Sequence, residues 1–117
     1  MQRSPIETRA FAAAAVALAL LVPLPAATAA DAPTLNLSLK GHKFEPAELQ
    51  APAGKAFVIV LKNLDPTPAE FESHALRVEK VVTAGGSITI RMRPQSAGRY
   101  RFFDDFHPDA QGHLVVK

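Results

Sequence analysis

The sequence contains no cysteine. That excludes disulfides, cysteine-ligated zinc, iron–sulfur clusters, thiol nucleophiles and every copper centre that depends on a thiolate. Net charge is small as well. Thirteen basic and 11 acidic residues leave +2, too little to point to nucleic acid or to an acidic surface. No Gly-x-Ser-x-Gly element is present, which removes a common hydrolase nucleophile. The apolar run from Ala10 to Leu21 is about a dozen residues, short of the roughly 20 needed to cross a bilayer. No segment keeps a helical period over three turns, and there is no internal repeat. A length of 117 residues fits one domain.

The N-terminus reads as an address. Arg3 and Arg9 precede the apolar run, Pro23 and Pro25 break it, and Ala27-Thr28-Ala29 offers small residues for cleavage, with Ala30 nearly as good. These are the parts of a secretory signal peptide, expected over residues 1–30. The chain lacks the adjacent arginine pair of the twin-arginine route and the cysteine of a lipoprotein. The expected destination is therefore the periplasm through the general secretory route, with no membrane span after cleavage. The domain is then residues 31–117. Losing Arg3, Arg9 and Glu7 leaves it at net charge +1. Small exported domains often lean on disulfides. This one must rely on packing, a bound metal or a partner.

What remains alternates like short strands. Leu35, Leu37 and Leu39 have period two. Leu49-Gln50-Ala51 reads as a short strand, and Ala56 to Leu61 as one buried on both faces. Asp65-Pro66 and Pro68 mark a loop. Glu70–Ser73, Leu76–Val82, Ser87–Met92, Tyr100–Phe103 and His113–Val116 are further extended pieces, with a polar loop over Asp104–Gly112. Seven to eight strands with turns between them predict an all-β antiparallel sandwich or barrel.

Two segments carry candidate chemistry: Glu70-Phe71-Glu72-Ser73-His74, and Asp104-Asp105-Phe106-His107-Pro108-Asp109. Greek-key sandwiches gather loops at one end, so imidazoles and carboxylates from both can converge. Imidazole nitrogen and carboxylate oxygen suit Cu(II), Fe and Zn. His42, beside Gly41 and Lys43, reads as a solvated turn histidine, and His113 as a strand opener. Met92 continues an apolar face and belongs to the core. Ser73 and His74 are sequence neighbours, so in a strand they point to opposite faces and make no Ser–His pair.

The stretch Tyr100-Arg-Phe102-Phe-Asp104-Asp-Phe-His107-Pro-Asp-Ala110-Gln-Gly112 resembles the last strand–loop–strand of the cupredoxins, Tyr-x-Phe-x-Cys-x-x-His-x-x-Met-x-Gly. Asn63 with His74-Ala75-Leu76 resembles the element that supplies their first histidine. Phe44-x-Pro46 and Ala51-Pro-Ala-Gly54-Lys55 are similar to their early strands. The resemblance implies a cupredoxin-like Greek-key β-sandwich over nearly the whole mature chain. Asp104 stands in the position of the copper thiolate and Ala110 in that of the axial methionine, so no blue-copper site is expected. A narrower similarity, carried by Ala69-Glu70-Phe71-Glu72 and by the ending from Gly98 to Leu114, is to EfeO-type periplasmic cupredoxin-like proteins associated with ferrous-iron permeases. It implies a copper or iron ion held by His74, His107, Asp104 and Glu72. It also implies a place in periplasmic iron uptake, an iron permease or a periplasmic iron-binding protein as partner, and at most an assisting ferroxidase role. The other expectation is a binding module of the same fold whose metal site has decayed.

Protons compete with metal at imidazole nitrogen. Affinity is expected to weaken as pH falls through about 6. A titration that stays flat from about pH 8 to about pH 5 would point to carboxylates alone.

Overall fold

The computed structural model describes residues 2, 13–23 and 32–117. The expected cleavage site after Ala29 or Ala30 lies outside the described residues. No helix among them is long and apolar enough to cross a membrane.

Nine strands follow one another: β1 (Thr34–Lys40), β2 (Lys43–Glu45), β3 (Glu48–Ala51), β4 (Phe57–Asn63), β5 (Ala69–Ser73), β6 (Val78–Val82), β7 (Ser87–Met92), β8 (Gly98–Asp104) and β9 (His107–Val116). They form two sheets, ordered β2-β1-β4-β7 and β3-β9-β8-β5-β6. The all-β sandwich is as expected. It is not purely antiparallel, because β1 runs parallel to β4 and β3 parallel to β9. Both parallel pairs join strands distant in sequence, where no hairpin dictates direction.

Alternation sets the core. Leu37 and Leu39 of β1, Phe57, Ile59 and Leu61 of β4, and Ile90 and Met92 of β7 face inward from one sheet. Ala69 and Phe71, Phe102, and Leu114 and Val116 meet them from the other. Phe44 and Phe71 flank Phe102, with ring centroids 5.1 Å from it, one edge-on and one stacked. Burying each of these rings stabilises the fold by about 1.5–3 kcal/mol relative to exposure. β4 differs from expectation. Its inner residues are buried, but Val58 and Val60 are half-covered and Lys62 is exposed, so only one face is in the core.

The largest departure is after Asp104. In place of a loop through Gly112, the chain turns at Asp105-Phe106 and re-enters β9 at His107. Phe103 faces Gln111, yet the next residue, Asp104, faces His107, so Pro108, Asp109 and Ala110 bulge from the ladder. Pro108 has no N–H to give the ladder, and Ala110 tucks into the core. Polar composition suggested a loop, but pairing with β8 overrides it.

β9 passes close over Phe102 at Gly112. A Cβ there would lie 2.5 Å from Phe102 Cζ and 2.8 Å from the Ala47 carbonyl oxygen. Gly112→Ala is therefore expected to cost about 1–3 kcal/mol of unfolding free energy by overpacking, read from urea denaturation. Gly54→Ala tests a different physics. Its Cβ would meet nothing, and only its positive φ of 72° resists the change.

Candidate metal centre

One end of the sandwich is organised by two buried acids and one buried amide. Asn63, the last residue of β4, is fully buried. Its Nδ2–H2 donates to the carbonyls of Thr67 (2.8 Å) and Thr83 (3.2 Å). Its Oδ1 accepts the Asp65 N–H at 3.0 Å. Every polar atom of the side chain is thus used, and the loop between β4 and β5 is held in one place. The Asp65 carboxylate then accepts the N–H of Gly41 (2.6 Å) and of His42 (3.0 Å). These two N–H bonds, with a weaker contribution from the His42 ring, hold the Asp65 carboxyl below its usual range against its burial.

Gly41 and His42 form the two-residue turn between β1 and β2, with φ of 58° and 56°. A turn with positive φ at both central residues suits the twist of a hairpin and is unusual for histidine. The Asp65 bridge offsets that cost. The result is that the His42 ring lies on the His107 ring, with centroids 3.9 Å apart and planes 28° apart.

His107 is fixed from its other side. Asp104 has no exposed surface. Its Oδ1 accepts the N–H of Glu70 (2.9 Å) and of Phe106 (3.0 Å), tying β5 and the β8–β9 turn to β8. Its Oδ2 lies 3.0 Å from His107 Nδ1. A carboxylate can only accept, so Nδ1 donates, and in the neutral imidazole Nε2 is then the nitrogen with the lone pair. A carboxylate behind an imidazole whose far nitrogen is free is the arrangement that orients histidine ligands.

His42, Asp104 and His107 each bring one ligand atom within 4.8 Å of the others. Asp104 meets the Nδ1 side of His107, so an ion on Nε2 has Asp104 behind the imidazole and not as a donor. Two imidazole donors suit Cu(II), Fe(II) or Zn.

The remaining candidates sit elsewhere. Ala69, Phe71 and Ser73 of β5 point inward, so Glu70 and Glu72 lie on the outer face of the five-stranded sheet. There Glu72 Oε1 is 3.6 Å from His74 Nε2. The His74 ring stacks on Phe103, which also carries the Arg101 guanidinium at 4.6 Å. Glu70, Glu72 and Glu79 form a second cluster within 4.8 Å. The structure thus pairs Asp104 with His107 and Glu72 with His74, on opposite sides of one sheet. His42 is the residue that sequence reasoning passed over. Its glycine-preceded turn was legible, but its distance to His107 depends on Asp65, 23 positions away.

The outer cluster is electrostatically tense. A shared hydrogen bond with Glu79, burial, and the charges of Glu79, Asp105 and Glu72 push the Glu70 carboxyl up to about 7. Burial, then Asp105, pushes Glu72 up as well, against the pull of His74.

A model of the family described as Cupredoxin-like domain matches residues 10–116. An uncharacterised protein of Rickettsia prowazekii is 40% identical over 83 residues, 70% of this chain and 66% of its own length. The chain thus spans about two thirds of that relative. Among solved structures, a purple cupredoxin from Nitrosopumilus maritimus superposes with TM-score 0.58 at 17% identity, covering 71% of this chain and 99% of that one. The metal-binding domain of a Cu(I)-exporting P-type ATPase from Streptococcus pneumoniae, solved with Cu(I), reaches TM-score 0.66 at 19% identity over 72% and 84%.

Glu70 makes the acid side of the stability profile testable. Its folded pKa is raised above the ordinary 4.5, so the folded state binds the extra proton. The stabilisation is complete below about 4.5 and lost as pH rises through about 7. In the metal-free protein, Glu70→Gln is expected to raise the melting temperature at alkaline pH and to flatten its fall across that window. An unchanged pH profile would refute the shared proton.

Proposed function

Because the chain belongs to the cupredoxin-like domain family, we propose that it is an exported protein that binds copper or iron without a thiolate and serves iron uptake in the periplasm. The observation that carries this reading is the convergence of His42, Asp104 and His107 within 4.8 Å at one end of the sandwich. His107 offers Nε2, His42 a ring nitrogen, and Asp104 holds His107 in place from the core. Bound there, the ion is a borderline Lewis acid in a nitrogen–oxygen site, without the thiolate that makes cupredoxin copper blue. Glu72 and His74 form a second, more exposed pair that takes an ion more weakly, since the His74 side chain is mostly exposed and no buried carboxylate orients it. The copper named for the relatives of this fold supports the metal class. The EfeO-type resemblance of the final segment supports iron uptake, with an inner-membrane iron permease or a periplasmic iron-binding protein receiving the ion. Any ferroxidase role is an assisting one.

A second reading has one observation in its favour. Both oxygens of Asp104 are already engaged by protein N–H groups. A site satisfied without metal suits a binding module that acts by protein contact.

Calorimetric titration of the mature protein with Cu(II) and Fe(III) separates the two. Metal binding tighter than about millimolar is expected, weakened at least tenfold (about 1.4 kcal/mol) by His42→Ala and by His107→Ala, with His74→Ala removing only a weaker step. Melting temperature gives the second readout, since an ion at 100 times its Kd stabilises by about 2.7 kcal/mol. No binding and no thermal shift would leave the contact module. Loss of the tight step in His74→Ala would move the site to the outer face.

A further inference from the structure

The sandwich is open along one side. β6 ends the five-stranded sheet and β7 ends the four-stranded one. Each leaves a row of backbone N–H and C=O groups with no ladder partner on that side. The two edges border a common cleft. One part, of about 520 Å3, is lined by Leu76, Arg77 and Val78 on the β6 side and by Arg91, Met92 and Arg93 on the β7 side. A second part, of about 570 Å3, continues it along β6 and β7. Arg77, Val78 and Arg91 line both parts, so the edges of β6 and β7 both run along the cleft.

The first part has a definite chemistry. Leu76 and Met92 are buried beneath it and give an apolar base. Arg77, Arg91 and Arg93 are exposed around it, and no carboxylate is among its lining residues. Among the described residues, none of these three guanidinium groups lies within 4.0 Å of a carboxylate oxygen. Arg77 also occupies a left-handed conformation, φ 56°, which an arginine adopts only against steric cost. The second part is closer to neutral, since Glu79 and Lys80 both line it.

We propose that this cleft docks an extended acidic peptide segment of a partner protein, added as a strand along the edge of β6. Main-chain hydrogen bonds to an open edge supply affinity, and alternate side chains supply specificity. Here glutamate or aspartate on one face of the added strand meets the three arginines, each a bidentate partner for a carboxylate. The same arginines reject a second copy of this edge, because like charges would be brought together. Charge complementarity therefore selects an acidic partner over self-pairing. The surface is distinct from the His42–Asp104–His107 cluster and does not depend on metal.

The test uses the full mature chain and a fluorescein-labelled peptide of alternating glutamate and valine, followed by anisotropy. A lysine–valine peptide is the control. The acidic peptide is expected to bind, to weaken with added salt, and to slow amide hydrogen exchange in Val78–Val82. Arg77→Gly and Arg91→Gln are each expected to weaken binding about tenfold. Glycine suits the positive φ at position 77, and position 91 makes no special backbone demand, so both variants keep the fold. Equal binding of the basic peptide, no binding at all, or protection away from β6 would overturn the proposal. So would displacement by a single-stranded oligonucleotide without edge protection, which would make the cleft a general polyanion site. Concentration-dependent self-association abolished by Arg91→Gln would assign the cleft to a second copy instead.

Discussion

One buried carboxylate organises the end of the molecule where chemistry is possible. Asp104 is cut off from solvent and could not remain so without partners, since burying an unpaired acid is strongly unfavourable. Its two oxygens collect the N–H of Glu70, the N–H of Phe106 and the Nδ1–H of His107. Those three bonds join β5 to β8, close the β8–β9 turn and set the tautomer of the imidazole. The carboxylate thus binds the fold and orients one imidazole.

A second chain of dependence reaches the same place from the other sheet. Asn63 holds the loop that contains Asp65, Asp65 holds the Gly41–His42 turn, and the turn lays one imidazole on the other. Each link is a hydrogen bond of ordinary strength. Together they fix loops that no disulfide can hold in a chain without cysteine. The aromatic cluster of Phe44, Phe71 and Phe102 supplies the packing against which these polar links are anchored.

The two faces of the five-stranded sheet have different electrostatic characters for a simple reason. Alternation sends Phe71 and Ser73 inward and Glu70 and Glu72 outward. β6 then places Glu79 opposite Glu72. The hydrogen bond shared with Glu79, then burial and the neighbouring acidic charges, raise the proton affinity of Glu70. At the adjoining edge the sign reverses and arginines dominate. An acidic face and a basic cleft on a chain of net charge +2 are invisible in its composition.

The sequence by itself determined the all-β class, the sandwich, most strand positions and the absence of a thiolate. Those properties are local: period-two alternation, turn residues and residue counts carry them. The proximity of Asp104 to His107 was also legible, because three positions in a strand–turn–strand element stay close. What only the tertiary structure decided was which other donors join them. His74 and Glu72 fall on the outer face because β5 continues its alternation to the end. His42 arrives from the opposite sheet because Asp65 pulls its turn across. The parallel pairings of β1 with β4 and of β3 with β9, and the zipping of Asp104–Gly112 into a bulged hairpin, were decided the same way. Long-range hydrogen bonds carry no sequence period, and a polar stretch pairs or stays a loop according to the strand it meets.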